Sequence, residues 1–403
     1  MKTIGVIGAG TMGTGIAQLA AANGCRVRLA DVSREMLGRG MASIQGSLEK
    51  AVAKGKLSAH DCDAAVARIV PTVSIGELGD VDVAIEAIVE KLDAKQQLFA
   101  TLEQSTPKRA TLATNTSSLS VSRIAEPLAD PSRLIGMHFF NPAPLMPLVE
   151  IIAGAKSAPQ HLDAAAQLVR NWGKTAVRVK DAPGFIVNRV ARGYYLEALR
   201  MLGEGIAGVD TIDTTLRELG GFRMGPFELM DLVGLDVNYA VSTSVWEQFG
   251  KPARLAPHDI QRQLVDKGHL GRKTGRGFYD YSTDPPAVAV RPPAGPLAVP
   301  ASASEAAIAF TTSAVQRDGN SVQRYVLARI LATVMNEAAL ALDEGVATAD
   351  DIDIAMQKGT NYPQGPLAWA QRVGHDKLLR MLEALSSAAP DSRFQPASSL
   401  RSP

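Results

Sequence analysis

The chain has 403 residues, 46% of them apolar and 21% charged, which is the size and balance of a soluble globular enzyme with two or three domains, each burying its own core. With 42 basic and 41 acidic residues there is no global field to gather nucleic acid or anionic lipid, and no apolar run approaches a membrane span. The two cysteines, Cys25 and Cys62, fall short of a disulfide framework or a clustered metal site, and Met1 to Ile7 is too short an apolar run for a signal peptide, which points to the cytoplasm.

Lys2 to Ile7 is β-branched and apolar and predicts a short buried strand, followed directly by Gly8-Ala9-Gly10-Thr11-Met12-Gly13. A helical pattern with Ile16, Leu19 and Ala20 on one face then runs to an Asn23-Gly24 stop, and Val27 to Ala30 predicts a second strand. In this strand, turn, helix, strand context the three glycines form a dinucleotide-binding loop. Gly8 permits the tight turn, Gly10 admits a pyrophosphate against bare backbone, and Gly13 allows close packing of helix and strand, with the helix N-terminus facing the phosphates. Asp31, at the end of the second strand, would accept hydrogen bonds from the ribose hydroxyls and repel a 2′-phosphate, so NAD is expected rather than NADP.

A long helical stretch follows with Ser47, Lys50 and Lys54, in which the two lysines share a face and form either an anion site or a solvated helix surface. Val81 to Ile88 predicts a strand, Lys91 to Gln104 a helix, and Thr111 to Thr114 a strand leading into Asn115-Thr116-Ser117-Ser118. The pattern is a doubly wound α/β sheet. Ligand contacts gather at the ends of such strands, where Glu90, Asn115 and Ser117 stand, although capping or turn formation explains each of them equally well.

His138, within Met137-His138-Phe139-Phe140-Asn141-Pro142, is followed twelve residues later by Glu150. An imidazole can take a proton from an alcohol and release it near neutral pH, while a carboxylate orients the ring and stabilises its cation. The alternative is a core histidine held by a backbone carbonyl beside an unrelated glutamate.

Taken together, the glycine loop, Asn115 to Ser118, His138 to Pro142, Glu150, the run Asp181-Ala182-Pro183-Gly184-Phe185-Ile186-Val187-Asn188-Arg189, and Gly271 to Tyr279 resemble the L-3-hydroxyacyl-CoA dehydrogenases in order and spacing. The resemblance implies a Rossmann-like domain carrying NAD, a following all-helical domain, and acyl-CoA bound in the cleft between them. It makes His138 the base and Glu150 its partner, with Ser117 and Asn188 contacting the reacting oxygens. It puts Glu90, Lys95, Asn115, Ser117 and Lys273 beside NAD together with Gly8 to Gly13 and Asp31, and Ser47, Lys54 and Asn141 on the acyl-CoA side. A non-catalytic NAD-binding protein of the crystallin kind and a 3-hydroxy acid dehydrogenase acting on a non-CoA substrate are the competing readings. Acyl chain length, and any second carboxylate on the acyl group, are reported by no motif.

The segment from Val187 to Asp236 recurs at a constant offset of 140 residues. Arg189 meets Arg329, Glu197 meets Glu337, Glu204-Gly205 meets Glu344-Gly345, and Gly225-Pro226 meets Gly365-Pro366. This is a duplicated helical unit, not a solenoid. Asn188 corresponds to Ala328, so only the first copy can serve the site. The expected organisation is an α/β domain over 1–182, helical domains over 183–283 and 319–387, a Pro/Ala-rich linker over 284–318 and a polar, disordered tail over 388–403. Single-copy enzymes of the resembled family pair through the helical domain, so the expectation is a homodimer or an intrachain pseudo-dimer.

Overall fold

The computed structural model describes residues 1–293, 299–389 and 391–401 and divides into two compact units, Met1–Phe185 and Ile186–Pro403. The first is built on one eight-stranded sheet in the order β3-β2-β1-β4-β5-β6-β7-β8. Its strands are β1 (Thr3–Ile7), β2 (Arg26–Ala30), β3 (Ile69–Thr72), β4 (Val83–Glu86), β5 (Thr111–Thr114), β6 (Leu134–Phe139), β7 (Leu148–Ala153) and β8 (Thr175–Lys180). Neighbours from β3 to β6 are parallel, β7 is antiparallel to β6, and β8 is parallel to β7. Helices α1 (Thr11–Ala22), α2 (Arg34–Ala53), α3 (Ala59–Ala67), α4 (Leu92–Ser105), α5 (Val121–Ile124) and α6 (Pro159–Asn171) complete this unit. Burial on both faces explains the continuous apolar run of β1, in which all five residues are buried. Strand order reverses between β1 and β4, which opens the crevice where such sheets bind ligands.

The second unit is helical: α7 (Val187–Val190), α8 (Arg192–Gly203), α9 (Val209–Thr214), α10 (Pro226–Val233), α11 (Leu235–Gln248), α12 (Asp259–Asp266), α13 (Ala301–Ala314), α14 (Ser321–Asp343), α15 (Ala349–Thr360), α16 (Pro366–Val373) and α17 (His375–Ala388). A two-stranded ribbon, β9 (Tyr279–Asp280) with β10 (Ala287–Val288), accompanies them. The repeat is carried into the structure residue by residue. Asp213 accepts the N–H groups of Phe227 and Glu228 at the start of α10, and Asp353 accepts those of Leu367 and Ala368 at the start of α16. Gly234 and Gly374 take positive φ angles of 101° and 92° between the last two helices of each copy, a conformation that favours glycine.

The copies face each other across α8 and α14 through reciprocal ion pairs. Arg189, fully buried, donates from Nε to Glu337 at 2.7 Å and from both terminal nitrogens to Glu344 at 2.6 and 2.9 Å. Arg329 makes the same bonds to Glu197 at 2.7 Å and Glu204 at 2.6 and 2.9 Å. Burial works against the Glu197 carboxylate, but Arg329 and Arg200 beside it outweigh that cost and hold its pKa at about 2. A β-carbon on Gly193 would stand 3.1 Å from Thr333 Cγ2 and 3.2 Å from the Val334 nitrogen, so the two helices cross closely enough there that any side chain would have to displace its neighbours by a few tenths of an ångström.

Three sequence expectations are corrected here. The range assigned to a linker contains α13, whose Phe310 is fully buried and whose Ala314 carbonyl accepts the Trp369 indole N–H at 2.9 Å. The range assigned to a disordered tail is packed over residues 391–401: Phe394, Ala397 and Leu400 are buried, and Asn336 bonds the Gln395 carbonyl and the Ala397 N–H. Three apolar residues at three-residue spacing suffice to dock an otherwise polar segment. Pro296 of the linker and Pro390, Ser402 and Pro403 of the tail lie outside the described residues. Finally, α14 is long and apolar enough to cross a membrane, its 23 residues containing an 18-residue window of mean hydropathy 1.4, but 83% of that window is buried inside the protein, as befits the central helix of a bundle.

Candidate active site

β6 and β7 explain the spacing of His138 and Glu150. The two strands form an antiparallel hairpin in which His138 is paired directly with Glu150, and directly opposed residues send their side chains to the same face of a sheet. His138 Nδ1 stands 2.6 Å from Glu150 Oε2, with Glu150 fully buried and His138 5% exposed. Since an ionised carboxylate only accepts, Nδ1 carries the proton and Nε2 is left as the basic nitrogen. No protein group among the described residues is bonded to Nε2. Phe140 and Phe185 flank the imidazole, their ring centroids 4.5 and 5.8 Å away, and restrict it to one orientation.

The ends of β4 and β5 supply a second cluster. Glu90 Oε1 accepts the Thr116 hydroxyl at 2.5 Å and the N–H groups of Ser117 and Ser118 at 2.9 and 3.2 Å. Burial raises the proton affinity of Glu90, but Lys95 and these donors overcome it and leave its pKa below the ordinary carboxylate value. Asn115 is tied to the hairpin, its Oδ1 accepting the Phe139 N–H at 2.9 Å. The loop bearing Ser117 and the strand bearing His138 are thus braced from both sides.

Lys95, expected beside the cofactor, is 1% exposed, and its ammonium lies 2.5 Å from Glu86 and 3.1 Å from Glu90. It acts as an internal brace for Glu90. Glu86, fully buried, also takes the Thr114 hydroxyl and the Ile88 N–H. Neither Glu86 nor Thr116 was singled out by the sequence, since only pairing between different strand ends gives them a role.

The glycine loop fits a dinucleotide. A β-carbon on Gly13 would fall 1.8 Å from the Gly8 carbonyl oxygen and one on Gly8 would fall 2.5 Å from that of Ala87, so these two glycines are required by the turn itself. A β-carbon on Gly10 would meet nothing within 4 Å. Gly10 is therefore not demanded by the protein's own packing, and its bareness leaves room for a ligand at the N-terminus of α1. Asp31 Oδ2 accepts the Ala9 N–H at 2.8 Å and Oδ1 the Ser33 N–H at 3.0 Å, which fixes the carboxylate at the end of β2 beside the loop.

The remaining expected residues are more dispersed. Ser47 and Lys54 are exposed on and just after α2, Asn141 is exposed after β6, and Ser117 is half-buried. In the helical unit Asn188 is half-buried on α7, and Lys273 is exposed and paired with Asp236 at 2.6 and 2.7 Å. No hydrogen bond or ion pair joins Ser47 or Lys54 to the His138 pair among the described residues. No cluster of metal-binding side chains occurs among the described residues.

Comparison with known proteins adds independent findings. The model of the 3-hydroxyacyl-CoA dehydrogenase NAD binding domain matches residues 3–182, and that of the 3-hydroxyacyl-CoA dehydrogenase C-terminal domain matches residues 184–281 and again 325–402. The double match falls on the two repeat copies. A protein of Escherichia coli K12 named 3-hydroxyadipyl-CoA dehydrogenase is 38% identical over 460 aligned positions, covering 100% of this chain and 97% of its own length. A 3-hydroxybutyryl-CoA dehydrogenase of Bradyrhizobium diazoefficiens is 40% identical over 281 positions, covering 70% of this chain and 96% of its own. Among solved structures, one described as 3-hydroxybutyryl-CoA dehydrogenase from Escherichia coli K12 is similar with a TM-score of 0.87 and 38% identity, over 99% of this chain and 97% of that one.

Proposed function

Since this chain belongs to the 3-hydroxyacyl-CoA dehydrogenase family, NAD-dependent oxidoreductases that interconvert 3-hydroxyacyl-CoA and 3-oxoacyl-CoA, we propose that His138 is the catalytic base of that reaction and Glu150 its orienting partner. The observation that carries this reading is the buried 2.6 Å contact that protonates Nδ1 and leaves Nε2 to take the proton of the 3-hydroxyl. Glu150 then stabilises the imidazolium as it forms. Bound NAD supplies the hydride acceptor. Gly8 to Gly13 and Asp31 hold its pyrophosphate and ribose, while Glu90, braced by Lys95, keeps Ser117 in place beside the reacting groups. Asn115 and Lys273 are assigned to the cofactor side, and Asn188, Asn141, Ser47 and Lys54 to acyl-CoA. Formation of NADH from NAD and a panel of 3-hydroxyacyl-CoA thioesters tests the proposal; no turnover with any of them would overturn it.

Gly10 offers a separate test of the cofactor site. Gly10→Ala is expected to leave the melting temperature unchanged, because its methyl group meets no protein atom. The same methyl would occupy pyrophosphate space and lower NAD affinity about tenfold, roughly 1.4 kcal/mol. Calorimetric titration with NAD beside a thermal melt checks both parts.

The second helical copy is assigned the place that a partner subunit's helical domain takes in single-copy relatives, so the chain acts as an intrachain pseudo-dimer. The reciprocal Arg189 and Arg329 ion pairs support this. The cytoplasm is the proposed compartment, supported by two cysteines that are free and buried.

A further inference from the structure

Arg192 is 3% exposed, yet among the described residues no carboxylate is paired with it. Its Nε donates to the Asn188 carbonyl at 2.8 Å, and its Nη1 donates to Ser242 Oγ at 2.7 Å and, at 3.4 Å, to the Asn238 carbonyl. Among the described residues Nη2 has no hydrogen-bond partner, and the guanidinium carbon lies 5.0 Å from the centre of the Tyr195 ring. Burial pushes the guanidinium pKa down, and the charges that act against that shift are tyrosines. A buried cation without a counter-ion costs several kcal/mol, so a fold retains one only where something compensates it.

Near it lies a second anomaly. Tyr362, from the second repeat copy, is 5% exposed and its hydroxyl has no hydrogen-bond partner among the described residues. Its ring lies 5.7 Å from that of Tyr194, which lies 5.8 Å from the Tyr195 ring over which Arg192 stands, and the Arg192 charge opposes the rise that burial gives its phenol pKa. A buried hydroxyl left unsatisfied is itself costly and rare.

The duplication shows that packing alone does not demand these groups. At the 140-residue offset Arg192 corresponds to Ala332, Asn238 to Leu378, Ser242 to Leu382 and Tyr362 to Phe222. Those four apolar residues are all buried. The same helical arrangement is therefore built in the other half without a polar atom from these side chains.

We propose that Arg192 and Tyr362 bind a carboxylate at the far end of the acyl chain, which makes thioesters of 3-hydroxy dicarboxylic acids with CoA the preferred substrates. The inference rests on the reading above in which Asn188 contacts the reacting oxygen. Arg192 follows Asn188 by four residues, across the junction of α7 and α8, and its side chain leans back toward Asn188, whose carbonyl takes its Nε–H at 2.8 Å. From C3 to a carboxyl carbon at C6 is three carbon–carbon bonds, about 4 Å, so one carboxylate can reach the open guanidinium edge while the hydroxyl stays with Asn188. A guanidinium is the side chain best shaped to take a carboxylate, and the Tyr362 hydroxyl adds a donor. The second copy would then contribute to specificity as well as to packing.

The test compares adipyl-CoA with hexanoyl-CoA, which differ at C6 by a carboxylate in place of a methyl group. Calorimetry on the full chain should give a dissociation constant at least about tenfold lower for adipyl-CoA. Tyr362→Phe should narrow that ratio by roughly threefold or more, and Arg192→Gln should abolish it. Equal affinity for the two ligands in the parent chain, or an unchanged ratio in Tyr362→Phe, overturns the inference. Parallel NADH formation from 3-hydroxybutyryl-CoA separates the two levels: turnover there without a preference for adipyl-CoA removes the carboxylate site alone, whereas no turnover with any 3-hydroxyacyl-CoA removes the underlying reading.

Discussion

His138→Gln is expected to lower kcat/KM for 3-hydroxyacyl-CoA by about a hundredfold or more, the usual worth of a positioned base, while NAD affinity stays within about twofold. Glutamine can still donate a hydrogen bond to Glu150, so the buried carboxylate keeps a partner and the hairpin keeps its pairing. What disappears is a basic nitrogen facing the substrate. The loss should fall on kcat with little change in KM, because the proton is taken in the transition state and not in the ground state. Steady-state kinetics at saturating NAD, with NAD titration as a control, decide it. A variant that turns over at the parental rate would remove His138 from the mechanism.

What the sequence revealed was local in one of two ways. The glycine loop, Asp31 and the strand ends were legible because their chemistry is written in consecutive residues, and the β5 prediction of Thr111 to Thr114 coincides with the observed strand. His138 and Glu150 were legible as a pair because a hairpin converts a sequence gap into direct opposition. The repeat was legible because a fixed offset needs no structural knowledge. Illegible were groups whose roles depend on distant partners. Lys95, which the resemblance sets beside NAD, is found held between Glu86 and Glu90, a pairing that no local pattern reports. Arg192 reads as one more basic residue on a helix until it is found buried with no carboxylate paired to it among the described residues, and Tyr362 reads as packing until its hydroxyl is found without a partner among them. The α13 helix and the 391–401 segment were not legible for a shared reason, since hydropathy does not reveal which other segment will cover a given stretch.

Removing residues 284–403 should convert the chain into a protein that associates or precipitates. Every side-chain hydrogen bond Arg189 makes goes to Glu337 and Glu344 of the second copy, so truncation strips all three from a residue at the heart of the helical unit. Glu197 likewise loses Arg329, leaving Arg200 as its partner. Truncation also uncovers Tyr194 and Phe222, whose rings pack against Tyr362 at 5.7 and 5.0 Å, and Phe222 loses Trp369 at 6.1 Å. Each newly exposed ring forfeits about 1.5–3 kcal/mol of burial, which is a large share of the stability of an ordinary domain. The uncovered face is nearly self-complementary, because each copy presents an arginine and two glutamates in matching positions to the other. Two truncated chains can therefore restore the lost ion pairs by pairing with each other. Size-exclusion chromatography with light scattering should find the full chain monomeric and the truncated one dimeric or insoluble. A truncated chain that stays a monodisperse, active monomer would show that the second copy does not take the place of a partner subunit.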